Sequence, residues 1–195
     1  KEAEETATYF EKLGDRLGMN VTTLISDGSK PVGKGIGPAM EARDVLKILE
    51  TNGEDGPQDL RDKALRMSNM LLKEAESDEK AEQILESGRA YEKMKEIIRN
   101  QGGEIFRSEE VETARYNKTI ESETDGRIVD IHNSSVNRVA MGAGCPKEKR
   151  SGLYLHKNAG DKVSVGDPLV TVYSNHKKRL AKALKTYEEN PIYEF

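Results

Sequence analysis

The densest run of residues capable of chemistry lies between Ser26 and Pro38: Ser-Asp-Gly-Ser-Lys-Pro-Val-Gly-Lys-Gly-Ile-Gly-Pro. Four glycines and two prolines in thirteen residues leave no room for regular structure. Such a backbone can turn its N–H groups toward an anion or its carbonyls toward a hard cation. Gly33-Lys34-Gly35-Ile36-Gly37 reads G-x-G-x-G. It lacks the Ser/Thr that follows Gly-Lys in a phosphate-binding P-loop, and the downstream acid of a dinucleotide fingerprint. Ligand proximity and plain turn chemistry, with its need for positive φ, therefore carry equal weight. Asp27 could serve as a general acid/base or cap the loop, and capping is the commoner use of a short Asx side chain. Asp44 can reach back to the loop from the following helix, although a solvated helix carboxylate is the simpler expectation. His132, His156 and His176 show no ligand spacing within a helix and read as surface or packing residues. Nothing near Cys145, in Gly144-Cys145-Pro146, would activate it as a nucleophile, and Lys147 to Arg150 reads as a solvated charged loop.

The elements that must position the loop are legible on either side of it. Ala3, Ala7, Phe10, Leu13 and Leu17 follow a helical period, with Glu2, Glu4 and Glu5 in the first turn and Gly18 at the end. Val21 to Ile25 reads as a short buried strand, so a parallel α/β sheet is expected with its other strands upstream. Pro38 suits the first position of a helix carrying Ala39, Ala42, Val45, Leu46 and Leu49. Three more helices follow Asn52 to Pro57, broken at Gly88 and at Gly102-Gly103. After about Glu110 the apolar residues fall into short runs separated by Asp125-Gly126, Gly160-Asp161 and Gly166-Asp167-Pro168, which predicts a β-rich module. Helices are expected there at about Val136–Met141 and Lys178–Tyr187. The apolar end, Pro191 to Phe195, is expected to pack rather than dangle.

Composition limits the function classes. Lys+Arg total 31 and Asp+Glu 35 in 195 residues, a net charge of −4, which argues against bulk nucleic-acid binding. No apolar run approaches a membrane span, and a single cysteine rules out an internal disulfide, so a reducing cytoplasm is expected. Lys1 is not an initiator methionine and a helical pattern is already running by Ala3, so the sequence reads as a fragment.

Gly160-Asp161-Lys162-Val163-Ser164-Val165-Gly166-Asp167-Pro168-Leu169 resembles the half-barrel of a biotinyl or lipoyl carrier domain. His176 occupies the place of the carrier lysine, so the shape is expected without the carrier function. Ser26-Asp27-Gly28-Ser29-Lys30-Pro31-Val32-Gly33, with Gly37-Pro38-Ala39-Met40-Glu41-Ala42, resembles the signature of the thymidine/pyrimidine-nucleoside phosphorylase family. Gly28 stands where bacterial members have Met, Pro38 where they have Asn, and Lys30 replaces a Gln. With Gly126-Arg127-Ile128 and Ser151 to Lys157, the sequence is more similar to the archaeal AMP phosphorylase branch.

The resemblance implies an α+β chain. Residues 1–108 would be the end of an α/β phosphate-binding domain and residues 109–195 a barrel-sandwich domain. It implies phosphorolysis of AMP, and also of CMP or UMP, to free base and ribose 1,5-bisphosphate, with inorganic phosphate as co-substrate. Thymidine or pyrimidine-nucleoside phosphorolysis is the alternative, and a non-catalytic barrel-sandwich interaction module the second. Catalytic residues are expected upstream, none in this chain, and the fragment alone is expected to be inactive. The resemblance makes Asp27, Gly33 and Lys34 substrate-proximal. It also implies a potassium-like cation held by the Val32 and Gly35 carbonyls and the Asp44 carboxylate, in a homodimer or larger assembly with no nucleic-acid or membrane partner.

Overall fold

The helical period that opens the chain becomes α1 (Glu2–Leu17), with its acidic first turn at the positive end of the helix dipole. It ends at Gly18, which takes the left-handed φ of 68° that ordinary side chains avoid. All residues 1–195 are described in this computed structural model. They divide into two units, residues 1–30 and 31–195. In the first unit the chain folds back along α1. A Val21 methyl occupies the space beside Gly14, and the Thr23 hydroxyl donates to the Glu11 carboxylate at 2.6 Å. The expected strand at Val21–Ile25 does not form, and Leu24 and Ile25 are exposed. A strand needs a neighbour to take its row of N–H and C=O groups. These residues belong to none of the sheets, and every sheet in the structure is antiparallel, not parallel as expected.

In the second unit the loop runs into β1 (Gly35–Ile36) and then α2 (Pro38–Glu50), with Pro38 opening the helix as expected. α3 (Gln58–Glu74), α4 (Ala81–Glu86) and α5 (Arg89–Asn100) follow, and Gly88 breaks α4 from α5 at φ 77°. A 3-10 turn at Ser108–Glu110 is tied to the end of α2. The Ser108 hydroxyl and N–H both donate to the Glu50 carboxylate, at 2.5 and 3.0 Å.

The remainder is β2 (Tyr116–Glu121), β3 (Gly126–Arg127), β4 (Asp130–Ile131), α6 (Asn133–Ala143), β5 (Gly152–Leu155), β6 (Lys162–Val163), β7 (Pro168–Ser174), α7 (Lys177–Glu189) and β8 (Tyr193–Glu194). The overall class is α+β, but the expected barrel-sandwich is not what forms. One four-stranded sheet has the order β1-β5-β7-β2, and two separate ribbons pair β3 with β6 and β4 with β8. The two outer strands of the large sheet do not meet, so it does not close. The reason is local: the carrier-like motif sends β6 to β3 while β7 lies between β2 and β5. Strands of two residues are too short to carry a sheet around a barrel.

The core lies between the four-stranded sheet and the α6–α7 pair. Leu153, Val170 and Val172 from the sheet meet Val139 and Ala143 of α6 and Ala183 of α7, all fully buried. Gly142 faces the Ala183 backbone closely enough that a Cβ there would lie 3.2 Å from its Cα. The chain end packs in part as expected: Ile192 and Tyr193 are buried, with the Tyr193 hydroxyl donating to the Leu169 carbonyl at 2.8 Å, while Pro191 and Phe195 are exposed.

Removing a side chain from this core forfeits its burial and leaves a cavity. Leu153→Ala is expected to cost about 2–5 kcal/mol in urea unfolding. Leu71→Ala, at a side chain 71% exposed on α3, should stay within about 0.5 kcal/mol. Equal losses at the two positions would misplace the core.

Candidate functional site: a glycine loop clamped by carboxylates

Three consecutive N–H groups of the loop donate to carboxylates of the helices that follow it. Gly33 donates to Asp59 Oδ2 at 3.0 Å. Lys34 and Gly35 both donate to Asp44 Oδ2, at 2.8 and 2.6 Å. Bonds of this kind, with an ionised acceptor, are the strong class of protein hydrogen bond. The loop amides are thus taken by the protein's own carboxylates. An anion held by these same N–H groups would have to displace Asp44 or Asp59. The chemistry left to the loop is that of its carbonyls and of the second Asp44 oxygen.

Asp44 reaches the loop because of how α2 is set. Met40, Asp44 and Ile48 recur every four residues and are all buried. Asp44 therefore stands on the inward stripe and not on the solvated face expected for it, while Ala42, placed on the apolar face by the sequence pattern, is exposed. The start of α2 is fixed by Gly37 at φ 109°, whose N–H donates to the Glu41 carboxylate at 2.9 Å. The Ala39 N–H donates to the Lys149 carbonyl at 3.0 Å. β1 anchors the loop to the sheet: Gly35 faces Tyr154, Ile36 faces Leu153, and the Leu155 N–H donates to the Lys34 carbonyl at 2.8 Å. Gly35 is required by close approach, since a Cβ there would meet the Met40 carbonyl group.

Burial is the largest influence on the Asp44 carboxyl and pushes its pKa above the ordinary aspartate value. The Gly35 and Lys34 N–H groups pull the other way, Asp59 adds to the rise and the Lys34 ammonium opposes it. Two carboxylates, those of Asp44 and Asp59, thus converge on the loop. Val32, of intermediate burial, precedes the clamped amides. Asp27 lies in the first unit, exposed, and its Oδ1 accepts the Ser29 N–H at 2.8 Å, the capping role favoured for it. The structure thus brings Gly33, Lys34, Gly35 and Asp44 together. Asp59 was missed, because nothing in its local pattern separates it from any acid in a helix's first turn.

The other candidate residues lie apart from the loop clamp, in packing contacts or at the surface. The His156 Nε2 lies 2.8 Å from the Thr171 hydroxyl, which in turn lies 2.8 Å from that of Thr119. Burial, with Lys34 and Lys157 nearby, lowers the imidazole pKa. His176 sits 3.5 Å from Glu148, alongside the Arg179–Glu148 ion pair at 3.1 Å. Burial, assisted by Glu41, pushes the Cys145 thiol pKa up, which is the wrong direction for a nucleophile. A second possible cation site lies elsewhere: Asp130, His132 and Glu194 present ligand atoms within 4.8 Å of one another.

Residues 127–194 match the pyrimidine nucleoside phosphorylase C-terminal domain. The chain is 39% identical over 192 residues to AMP phosphorylase 1 of Archaeoglobus fulgidus, an alignment covering 95% of the chain and 38% of that protein. It is 36% identical over 200 residues to AMP phosphorylase of Methanosarcina mazei, covering 98% of the chain and 39% of the relative. It is 39% identical over 190 residues to AMP phosphorylase of Pyrococcus horikoshii, covering 94% and 37%. Over nearly its whole length the chain is thus similar to part of the AMP phosphorylases, and over its last third to the C-terminal domain of pyrimidine nucleoside phosphorylases. It spans less than two-fifths of the length of these relatives. No helix in it is long and apolar enough to cross a membrane.

The clamp makes a contrast within one loop. Gly35→Ala should destabilise the second unit by about 2 kcal/mol or more in urea unfolding, because backbone must shift. Gly28→Ala, with open space around it, should stay within about 0.5 kcal/mol. Asp44→Ala should cost about 1–3 kcal/mol per N–H left buried without an acceptor. A neutral Asp44→Ala would mean that the loop holds its shape without the clamp.

Proposed function

We propose that this chain is part of an enzyme that cleaves the N-glycosidic bond of AMP with inorganic phosphate, giving adenine and ribose 1,5-bisphosphate, with CMP and UMP as further substrates. The observation that carries the reading is the near end-to-end similarity of the chain to several AMP phosphorylases, whose names state the substrate. In that reaction the phosphate attacks the anomeric carbon as positive charge develops on the sugar ring and the base departs. The demand on the protein is to place two anions together and to stabilise the leaving base. The residues that do so belong to the part of the family's length this chain does not span, so no catalytic residue is assigned here and the chain alone is expected to be inactive.

The role we assign to this chain is support of the phosphate site. Asp27, Gly33 and Lys34 are taken as substrate-proximal. A potassium-like cation would be held by the Val32 and Gly35 carbonyls and by the Asp44 oxygen that does not accept the loop amides. The fit rests on two features. The donors are all oxygen, as hard monovalent cations require, and a buried carboxylate beside a second carboxylate gains from a cation. In the whole protein, residues 1–108 would complete the phosphate-binding domain and residues 109–195 the C-terminal domain. β1 would tie the first to the second, in a homodimer or larger assembly.

A nucleoside substrate is the second reading, favoured by the domain match to pyrimidine nucleoside phosphorylases. Both readings are tested by assaying phosphate-dependent base release by the whole protein with AMP, CMP, UMP, uridine and thymidine. Release from the nucleotides alone is the expected result. Release from uridine or thymidine alone would favour the second reading, and no release from any substrate would end both. Potassium should raise the activity, and Asp44→Asn should remove that response.

A further inference from the structure

The β4–β8 ribbon lies outside the loop and shares no residue with it, yet it gathers an unusual set of side chains. Asp130 is directly opposite Glu194 in the antiparallel register, and Ile131 is opposite Tyr193. His132 continues the ribbon, its N–H donating to the Ile192 carbonyl at 2.9 Å. Side chains alternate along a strand, so Asp130, Glu194 and His132 share one face. The opposite face is anchored: Ile131 and Tyr193 are buried, and the Tyr193 hydroxyl is bound to the Leu169 carbonyl. The Val129 N–H, donating to the Glu194 carbonyl at 2.7 Å, secures the end. Three ligand-bearing backbones are thus fixed, while the His132 and Glu194 side chains are exposed and Asp130 is half-buried.

Two carboxylates directly opposite one another on paired strands repel. No lysine or arginine forms an ion pair with either of them. The single partner is His132, whose Nε2 stands 3.6 Å from Glu194 Oε2, beyond hydrogen-bond distance. The one nitrogen and two carboxylate oxygens lie within 4.8 Å of one another. We propose that Asp130, His132 and Glu194 bind one divalent transition-metal ion of the zinc or manganese type. The imidazole decides the class. Potassium, magnesium and calcium take oxygen donors, whereas a mixed nitrogen–carboxylate set suits zinc, manganese, cobalt or nickel. Three protein ligands leave further coordination positions to water.

The test is calorimetric titration of the full chain with zinc or manganese chloride, with cobalt absorption as a spectroscopic signature of nitrogen ligation. One ion per chain is expected, undisturbed by equimolar magnesium. His132→Ala and Glu194→Gln should each weaken binding roughly 10-fold or more, while His176→Ala, beside Glu148, leaves it unchanged. The substituted side chains at 132 and 194 are exposed at the surface, and circular dichroism before titration checks that the variants fold. Absence of saturable binding would overturn the proposal, as would binding that survives His132→Ala or is lost in His176→Ala.

Discussion

A carboxylate removed from water must find donors, and in this protein those of Asp44 are the backbone of the glycine loop. The Lys34 and Gly35 N–H groups converge on one oxygen of a side chain that is 5% exposed. Losing either partner would strand the other in a low-dielectric place. The constraint sets the direction of α2, since Asp44 must share its inward stripe with Met40 and Ile48. It also sets the entry of the chain into β1, and through β1 the attachment of the helical part to the four-stranded sheet.

The same constraint decides what the loop can offer a ligand. A glycine-rich turn has two faces, one of N–H groups and one of carbonyls. Here Asp44 and Asp59 occupy the N–H face at three successive residues. This turns an apparent anion cradle into an internally neutralised one, and it leaves oxygen donors as the available chemistry. A loop so built holds its neighbouring helices in place, and it could grip an anion with these N–H groups only by displacing Asp44 or Asp59.

Much of this was legible in the residues. α1 announced itself by period and by Gly18, α2 by Pro38, and the α4–α5 break by Gly88, because each depends on interactions within a few residues. The family resemblance rested on the loop motif. What escaped was set by distant partners. Asp44 looked like any helix acid until α2 was rotated by contacts with the loop. β1 and β8, two residues each, exist only through their partners β5 and β4. The apolar run at Val21–Ile25 had the composition of a strand but lies back along α1 and joins no sheet. The carrier-like motif fixed its turns, with Gly166 at φ 87°, but did not dictate which strands its flanks would join.

The clamp can be read most directly from the amides that make it. In a pH titration followed by nuclear magnetic resonance, the Lys34 and Gly35 amide protons should shift together, with one midpoint above the ordinary aspartate value of 3.8. A raised native pKa means that the stabilising contribution of this group is complete below its unfolded value and declines as pH rises through the native midpoint, while the buried charge forms. The account predicts a shared, elevated midpoint that vanishes in Asp44→Asn. Independent midpoints for the two amides, or a common one at or below that of an exposed aspartate, would contradict it.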